Sequence, residues 1–534
     1  MVNVITISLP KNKHLLLSAT QLAKKITERE IKCLALVEEY IERIKEVQPV
    51  INALAEENFD YALKEAIKVD DFLQNETSHP SDILRQKPLL GVPITIKECF
   101  AVKGLPNSCG VYNRRDHLSQ STAQAVSALI GSGAIVIATS SMPELGLWWE
   151  TYNTIRGRTR NPYDVTMITG GSSGGEGALI ASAASPLGLG SDVGGSIRMP
   201  AFFNGIFGHK PTAGIVSNEG HYPPATGDLN RYLVTGPLAR NSEDLLTVMK
   251  ILTKNIPEIN GDLLKLDQEV DLQNLKYFSF CDDMMRPWVS KICPQLRHAQ
   301  EQVVKHIETR FGKRVETLKI QDFPGLNKAF ILWISALEKC GGPPFSEIIT
   351  GYEGKASAMT ELSKWLLKTK NSHTFPCVTF LAQEALLKHF VSPKISQKYC
   401  DQLQDLKQQL TSTLGSDGVL IFPSHPLYHY KHSAPFLTPF NFIYTAIFNV
   451  LGFPVTQCPL GTWSKFSQRF PSTDKTLSNL RKNKSSKNMP LGVQLVAGNY
   501  NDRLTLALSQ ELEKTFGGWD YSPFISETLS CLKK

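Results

Sequence analysis

The chain has 534 residues, 42% hydrophobic and 20% charged, and its 57 Lys+Arg against 50 Asp+Glu leave a formal net charge of +7 at pH 7. This balance excludes a disordered, collagenous or fibrous polymer and describes a globular chain long enough to bury a large core. The positive excess raises the question of an acidic partner, either nucleic acid or an anionic membrane.

In chain order, Thr27 and Glu30 have the spacing of a capping box ahead of a helix whose Ile31, Leu34, Val37, Ile41 and Ile44 share one stripe. A short extended stretch over 51–55 precedes a second helix over 59–73. Residues 89–96 and 134–138 read as strands, the second fully buried. From about residue 290 the chain is helix-rich and carries no readable motif. Strand character resumes at 418–422, a buried helix is expected over 440–450 and a strand over 491–496. Strands alternating with helices, with no 20- to 50-residue period, predict an α/β architecture rather than a repeat protein.

Residues 462–489 are polar and aperiodic, and read as an inserted loop. They hold seven cations, Lys465, Arg469, Lys475, Arg481, Lys482, Lys484 and Lys487, against Asp474, a net +6 that leaves about +1 for the rest of the chain. Positive charge confined to one loop argues against a nucleic-acid partner and leaves room for a peripheral contact with an anionic membrane. The ten cysteines form no C-x-x-C pair and no zinc-ligand spacing, so they read as buried apolar residues of a reduced, cytoplasmic compartment, and no metal site is expected. Residues 1–15 are too short and polar for a membrane helix, and 1–10 lack the pattern of a secretory signal. The uncharged run 432–464 is interrupted by four prolines and reads as core.

The densest chemical signal is Thr169-Gly-Gly-Ser-Ser-Gly-Gly-Glu-Gly177 followed by Gly190-Ser-Asp-Val-Gly-Gly-Ser-Ile-Arg-Met-Pro200. Two glycine-rich turns presenting serine suit phosphate binding or oxyanion stabilisation, since exposed consecutive amides hold negative charge. The phosphate reading lacks G-x-x-x-x-G-K-[ST] and G-x-G-x-x-G. A serine nucleophile needs a base. Gly171-Ser-Ser-Gly-Gly175 matches the short G-x-S-x-G elbow, which would use Ser173 with a partner such as His425. The other candidate base is Lys97, which ends Gly91-Val-Pro-Ile-Thr-Ile-Lys97 and shares a strand face with Thr95.

Together with Gly208-His-Lys-Pro-Thr212, these segments resemble the amidase signature family in order and spacing. More local wording, in Asn113-Arg-Arg-Asp116, Met199 to Pro211 and Thr515-Phe-Gly-Gly-Trp519, is similar to its fatty-acid amide hydrolase branch. The resemblance implies one domain over 15–520, with 1–14 and 521–534 as short extensions, and a central mixed β-sheet surrounded by α-helices. It implies Ser196 as nucleophile, Ser172 as the bridging serine after a cis peptide bond, and Lys97 as base. The backbone amides of Val193, Gly194, Gly195 and Ser196 would form the oxyanion hole, and Ser173, Asp192 and Arg198 would support the turns. No cofactor is implied, and the partner is a small amide, expected to be lipid-like. Leu147, Trp148 and Phe203 are candidate substrate contacts, with Leu145, Trp149, Phe202 and the aromatic residues between 436 and 448 beside them. His209 reads as a structural histidine. Two other functions share these features: the glutaminase subunit of a tRNA-dependent amidotransferase, whose aspartate is missing from Tyr232-Leu-Val-Thr-Gly-Pro237, and a membrane- or anion-binding module built on the basic loop. Oligomeric state is not encoded legibly.

Overall fold

Ser18 opens the first helix, Ala19–Thr27, by accepting the Gln21 amide at 3.0 Å, while the Gln21 side chain accepts the Ser18 amide at 3.3 Å. The capping box therefore lies one helix earlier than Thr27 and Glu30 suggested. Thr27 ends that helix, its hydroxyl donating to the Ala23 carbonyl at 2.7 Å. The next helix, Cys33–Ile51, has no side-chain cap on its own segment. Its free amides at Cys33 and Leu34 instead reach the Asp70 carboxylate, at 2.8 and 3.0 Å, on the neighbouring helix Phe59–Asn75. Val37, Ile41 and Ile44 are buried on the expected stripe.

These helices come from a computed structural model in which the described residues are 10–254, 263–369, 371–390, 393–472 and 488–520, with isolated positions 7, 256, 474 and 477. Eleven strands form one sheet: β1 (Leu54–Glu57), β2 (Pro93–Lys97), β3 (Ile135–Ser140), β6 (Leu187–Asp192), β7 (Phe207–Lys210), β8 (Val234–Ala239), β9 (Lys276–Phe280), β10 (Val315–Leu318), β11 (Gly418–Pro423), β12 (Val455–Thr462) and β13 (Pro490–Ala497). A separate hairpin pairs β4 (Tyr152–Asn153) with β5 (Gly157–Arg158). The sheet order is β1-β3-β2-β6-β8-β7-β12-β13-β11-β9-β10. Strands β3, β2 and β6 run parallel, as do β11, β9 and β10, and the pairs between them from β6 to β11 are antiparallel. The α/β class and the mixed central sheet expected from the sequence are thus present.

Several local readings shift. The strand expected from residue 89 begins at Pro93, because the Leu90 and Val92 amides close turns onto Lys87 and Leu89. Gly190, Ser191 and Asp192, read as part of a turn, are the last residues of β6, a buried strand in which glycine alternates with leucine. The expected helix over 440–450 is Ile443–Leu451, buried throughout. Residues 462–489 do not begin as a loop: Trp463–Arg469 is a helix, with Trp463 and Phe466 buried and Lys465 paired with Asp520. The remaining cations of that segment, Lys475, Arg481, Lys482, Lys484 and Lys487, lie outside the described residues. Nine of the ten cysteines are described, all as free thiols. Among the described residues no helix is long and apolar enough to cross a membrane.

Because the Cys33–Ile51 helix is capped from another helix, Asp70→Ala should lower the unfolding free energy by about 1 kcal/mol, the usual worth of a cap, with kcat unchanged. Thermal unfolding of the purified variant beside an activity assay measures both.

Candidate active site

Strands β2 and β6 lie parallel with Thr95 opposite Gly188 and Ile96 opposite Leu189, so both finish at the same edge of the sheet. That register brings Lys97 and Ser191 out side by side. Lys97 is 1% exposed. Its Nζ lies 2.7 Å from Ser172 Oγ, 3.0 Å from Ser191 Oγ and 3.5 Å from the Ser191 carbonyl oxygen. Burial drives the Lys97 pKa below the ordinary lysine value, against a weaker upward pull from Cys99 and Asp192.

Ser172 follows a cis peptide bond from Gly171, on the turn that leads into the buried helix Gly174–Ala181. The Asn204 side chain holds this turn through the Thr169 carbonyl at 2.7 Å, and Thr151 through the Gly170 carbonyl at 2.9 Å. The Ser173 amide donates to the Ser196 carbonyl at 3.1 Å, tying one glycine-rich turn to the other. Ser196, 7% exposed, opens onto a cavity just before the helix Arg198–Phe203. Ser173 Oγ is buried without a hydrogen-bond partner. The His425 ring packs among Trp149, Phe203 and Tyr430, and its Nδ1 meets the Leu427 carbonyl at 2.8 Å. Neither residue meets the other, so the hydrolase elbow has no base.

The second turn is held by a buried ion pair. Arg198 contacts both Asp192 oxygens, at 3.0 and 3.1 Å, and reaches the side chains of Gln494 and Asn449 and the Thr445 carbonyl. Burial alone would raise the Asp192 pKa, but the Arg198 charge and the hydrogen bonds outweigh it and hold the carboxyl well below the usual carboxylate range. The direction of each amide in the turn follows from where its carbonyl is fixed, since a trans peptide points N–H and C=O oppositely. Trp333 Nε1 donates to the Val193 carbonyl at 2.9 Å, Thr445 Oγ1 to the Gly194 carbonyl at 2.7 Å, and the Met199 amide to the Gly195 carbonyl at 2.7 Å. The Gly195 amide, expected in the oxyanion set, donates to Asp192 Oδ1 at 2.6 Å. The amides of Val193, Gly194 and Ser196 remain. Gly195 itself has φ +122°, and a side chain there would stand 2.1 Å from Thr445 Oγ1, so only glycine fits.

The cavity at Ser196 has a volume of about 290 Å³. Leu145, Leu147, Trp148 and Trp149 line it as the sequence suggested, and Phe442 joins them. Phe203 does not: it is fully buried against Phe202, His425 and Tyr430, because its helix turns that ring into the core. The far wall comes from the stretch where no motif was legible, with Trp333, Ile334 and Leu337 from the helix Ala329–Glu338 and Phe345, Ile348 and Phe380 beyond it. The only sequence trace of that wall is its apolar helical pattern, which is equally the pattern of core. His209 is structural as expected, its ring bridging Thr456 and Asp502.

Glu176, on the helix Gly174–Ala181, accepts a hydrogen bond from Thr95 Oγ1 at 2.7 Å and lies over Gly188, where a side chain would come within 1.8 Å of its carboxylate. Burial pushes its pKa up from 4.5 to about 7, against the downward pull of the hydrogen bond from Thr95. A carboxyl whose folded pKa is raised destabilises the fold as it ionises, so the loss begins above pH 4.5 and is complete above pH 7. Glu176→Gln should remove this slope, making the fall in unfolding free energy between pH 5 and pH 8 smaller than in the wild type by on the order of 3 kcal/mol. Denaturant titrations at the two pH values check it.

The Amidase family profile matches residues 35–506. Fatty-acid amide hydrolase 2-A of Danio rerio is 45% identical over 513 residues, covering 95% of this chain and 90% of that protein. Fatty-acid amide hydrolase 2 of Homo sapiens is 42% identical over 510 residues, with the same two shares. Among solved structures, a fatty acid amide hydrolase superposes with TM-score 0.74 at 22% identity, over 96% of this chain and 88% of that one. A 6-aminohexanoate cyclic dimer hydrolase superposes with TM-score 0.73 at 20% identity, over 96% and 99%. The buried lysine, the paired serine turns and these matches over nearly the whole length place the chain in the amidase signature family, as an amide-hydrolysing hydrolase.

Proposed function

We propose that the protein is a serine amidase whose substrates are amides of long apolar acyl chains, hydrolysed to the acid and ammonia or an amine. Neutral Lys97 takes a proton from Ser172 as Ser172 takes one from Ser196, and Ser196 Oγ bonds to the acyl carbon while the carbonyl electron pair moves onto oxygen. The oxyanion lies against the amides of Val193, Gly194 and Ser196, where a single donor is worth about 3 kcal/mol. Collapse of the adduct breaks the C–N bond, and the proton held on Lys97 returns through Ser172 to the leaving nitrogen. Water then attacks the ester on Ser196, giving its proton to the same relay. Collapse of the second adduct releases the acid and restores the Ser196 hydroxyl. Burial of Lys97 supports its part, since an ordinary lysine would be a cation at neutral pH and could accept nothing.

The observation that carries the acyl-chain assignment is the cavity. Its described lining contains no acidic residue, lysine or arginine, and is built of aliphatic and aromatic side chains apart from Ser196 and His221. An alkyl chain gains about 0.8 kcal/mol per methylene by entering such a space. Free glutamine would have to leave an ammonium and a carboxylate unpaired there, which is costly. The names of the Danio rerio and Homo sapiens relatives, which refer to fatty-acid amides, support the same reading.

A panel of primary amides graded in chain length, with glutamine included, tests the substrate class. Expected is a kcat/KM that rises severalfold for each pair of added methylenes until the cavity is filled, with no ammonia from glutamine. Turnover of glutamine with none of a long-chain amide such as oleamide sinks the proposal. The nucleophile is tested by a fluorophosphonate probe: Ser196→Ala should abolish labelling, Ser172→Ala and Lys97→Ala should slow it by at least 100-fold, and Ser173→Ala should label at a near-normal rate.

A further inference from the structure

Lys97 has a second hydroxyl partner besides Ser172, and that partner leads to a histidine on the cavity wall. His221 lies on the connection between β7 and β8, its ring edge-on to Phe100 with centroids 5.2 Å apart. Its Nδ1 is 2.9 Å from the Pro223 carbonyl oxygen and its Nε2 is 3.1 Å from Ser191 Oγ. The same Ser191 Oγ is 3.0 Å from Lys97 Nζ. These three contacts form a chain from the cavity wall to the buried amine, and none of the roles given so far uses it.

The direction of each hydrogen bond in the chain follows from what its atoms can do. A carbonyl oxygen only accepts, so Nδ1 carries the ring hydrogen and donates to Pro223. In a neutral imidazole the other nitrogen, Nε2, is then an acceptor, and the Ser191 hydroxyl must donate to it. The ring is neutral at working pH, because burial pushes its pKa from 6.5 to about 4 against the Pro223 contact. With its one hydrogen directed to His221, Ser191 Oγ can only accept from Lys97. The Ser191 carbonyl oxygen at 3.5 Å can also only accept. A neutral lysine amine has two N–H bonds and one lone pair. Both N–H bonds are thereby drawn to Ser191, and the lone pair is left facing Ser172 Oγ at 2.7 Å. That is the orientation the proposed relay requires.

We propose that His221 is a positioning residue for the hydrolysis, acting through Ser191 to keep the Lys97 lone pair directed at Ser172. This inference rests on the reading of Lys97 as the base. Without an acceptor at position 221, the Ser191 hydroxyl is free to turn and donate to Lys97. It then competes with Ser172 for the single lone pair and stabilises the neutral amine in an arrangement that cannot take a proton from Ser172. Two effects follow together: a slower acylation at every pH and a Lys97 titration displaced to lower pH. The groups that bear on Lys97 from the packed elements are Cys99 on its own segment, Cys109, Asp192 at the end of β6 and Glu176 on the helix Gly174–Ala181, and the charged group that bears on His221 is Lys97. None of them is altered by a change at position 221.

The test compares His221→Phe, His221→Gln, Ser191→Ala and the double variant His221→Phe/Ser191→Ala, using the rate of labelling by a fluorophosphonate across pH and the KM for a long-chain amide. The expected result for His221→Phe is a labelling rate lowered about tenfold on the plateau, a rising limb moved to lower pH, and a KM within about threefold of wild type. His221→Gln, whose carbonyl oxygen can accept from Ser191, should return to within about threefold of the wild-type rate. The double variant should be no slower than the slower single one, because both changes break the same chain. Full activity with an unmoved limb in His221→Phe overturns the inference, as does a loss not recovered by glutamine or a double variant whose losses multiply. Lys97→Ala separates the two levels of argument: if it hydrolyses amides normally the base assignment itself fails, and if it is inactive while His221→Phe is unaffected only the role of His221 is lost.

Discussion

A lysine amine closed off from water at the carboxyl edge of the sheet, with no counter-charge of its own, is the constraint around which the rest of the site is arranged. Transfer of an ammonium into such a place is expensive, so burial draws the Lys97 pKa below the ordinary lysine value. The neighbours that could restore the charge are each prevented from doing so. Asp192 is committed to Arg198 and to the amides of its own turn. Glu176 is itself driven toward the neutral acid by burial, and its carboxylate is turned to Thr95. Burial likewise keeps the nearby thiols of Cys99 and Cys109 protonated. Lys97 is left among hydroxyl groups, which satisfy a neutral amine without fixing its charge.

The two serine turns are held by means that leave their reactive groups free. Every carbonyl of the turn from Val193 to Gly195 is pinned from behind, by Trp333, Thr445 and Met199, so the opposed amides need no further partner to be oriented. Such preorganised donors require no rearrangement when charge develops in front of them. One of the three pins comes from the helix Ala329–Glu338, whose Trp333 also forms cavity wall. The element that lines the cavity therefore also sets the direction of the Gly194 amide. The shape of the cavity and the orientation of that amide are mechanically linked through a single indole ring.

How much of this was legible varied with the range of the interaction. Strands β3, β11 and β13 and the helix Phe59–Asn75 announce themselves by local apolar pattern, and the structure places them within a few residues of that reading. The start of the Cys33–Ile51 helix does not, because its cap is Asp70 from another helix. Leu147 and Trp148 lie on the cavity while Phe203, an equally apolar residue in an equally suggestive motif, is turned into the core. Nothing in composition separates the two cases, since a ring facing a cavity and a ring facing its own core look alike in sequence. Ser191 and His221 carried no signal for the same reason: a serine and a histidine 30 positions apart become a chain only when β6 and the loop after β7 meet.

By itself, then, the amino-acid sequence determined the residue types that the chemistry needs, the order in which they occur and the class of fold that carries them. Glycine where no side chain fits, serine in paired turns, lysine at the end of an apolar strand and the Asp192 to Arg198 spacing are local facts, and local facts survive in a linear string. Tertiary structure alone decided that Lys97 is buried, that Gly195 turns its amide to Asp192, that a stretch without motifs supplies one wall of the cavity, and that Ser191 Oγ lies within hydrogen-bond reach of both Lys97 and His221. Those outcomes depend on solvent exclusion and on hydrogen-bond direction, which are properties of an arrangement in space and have no counterpart in the order of residues along the chain.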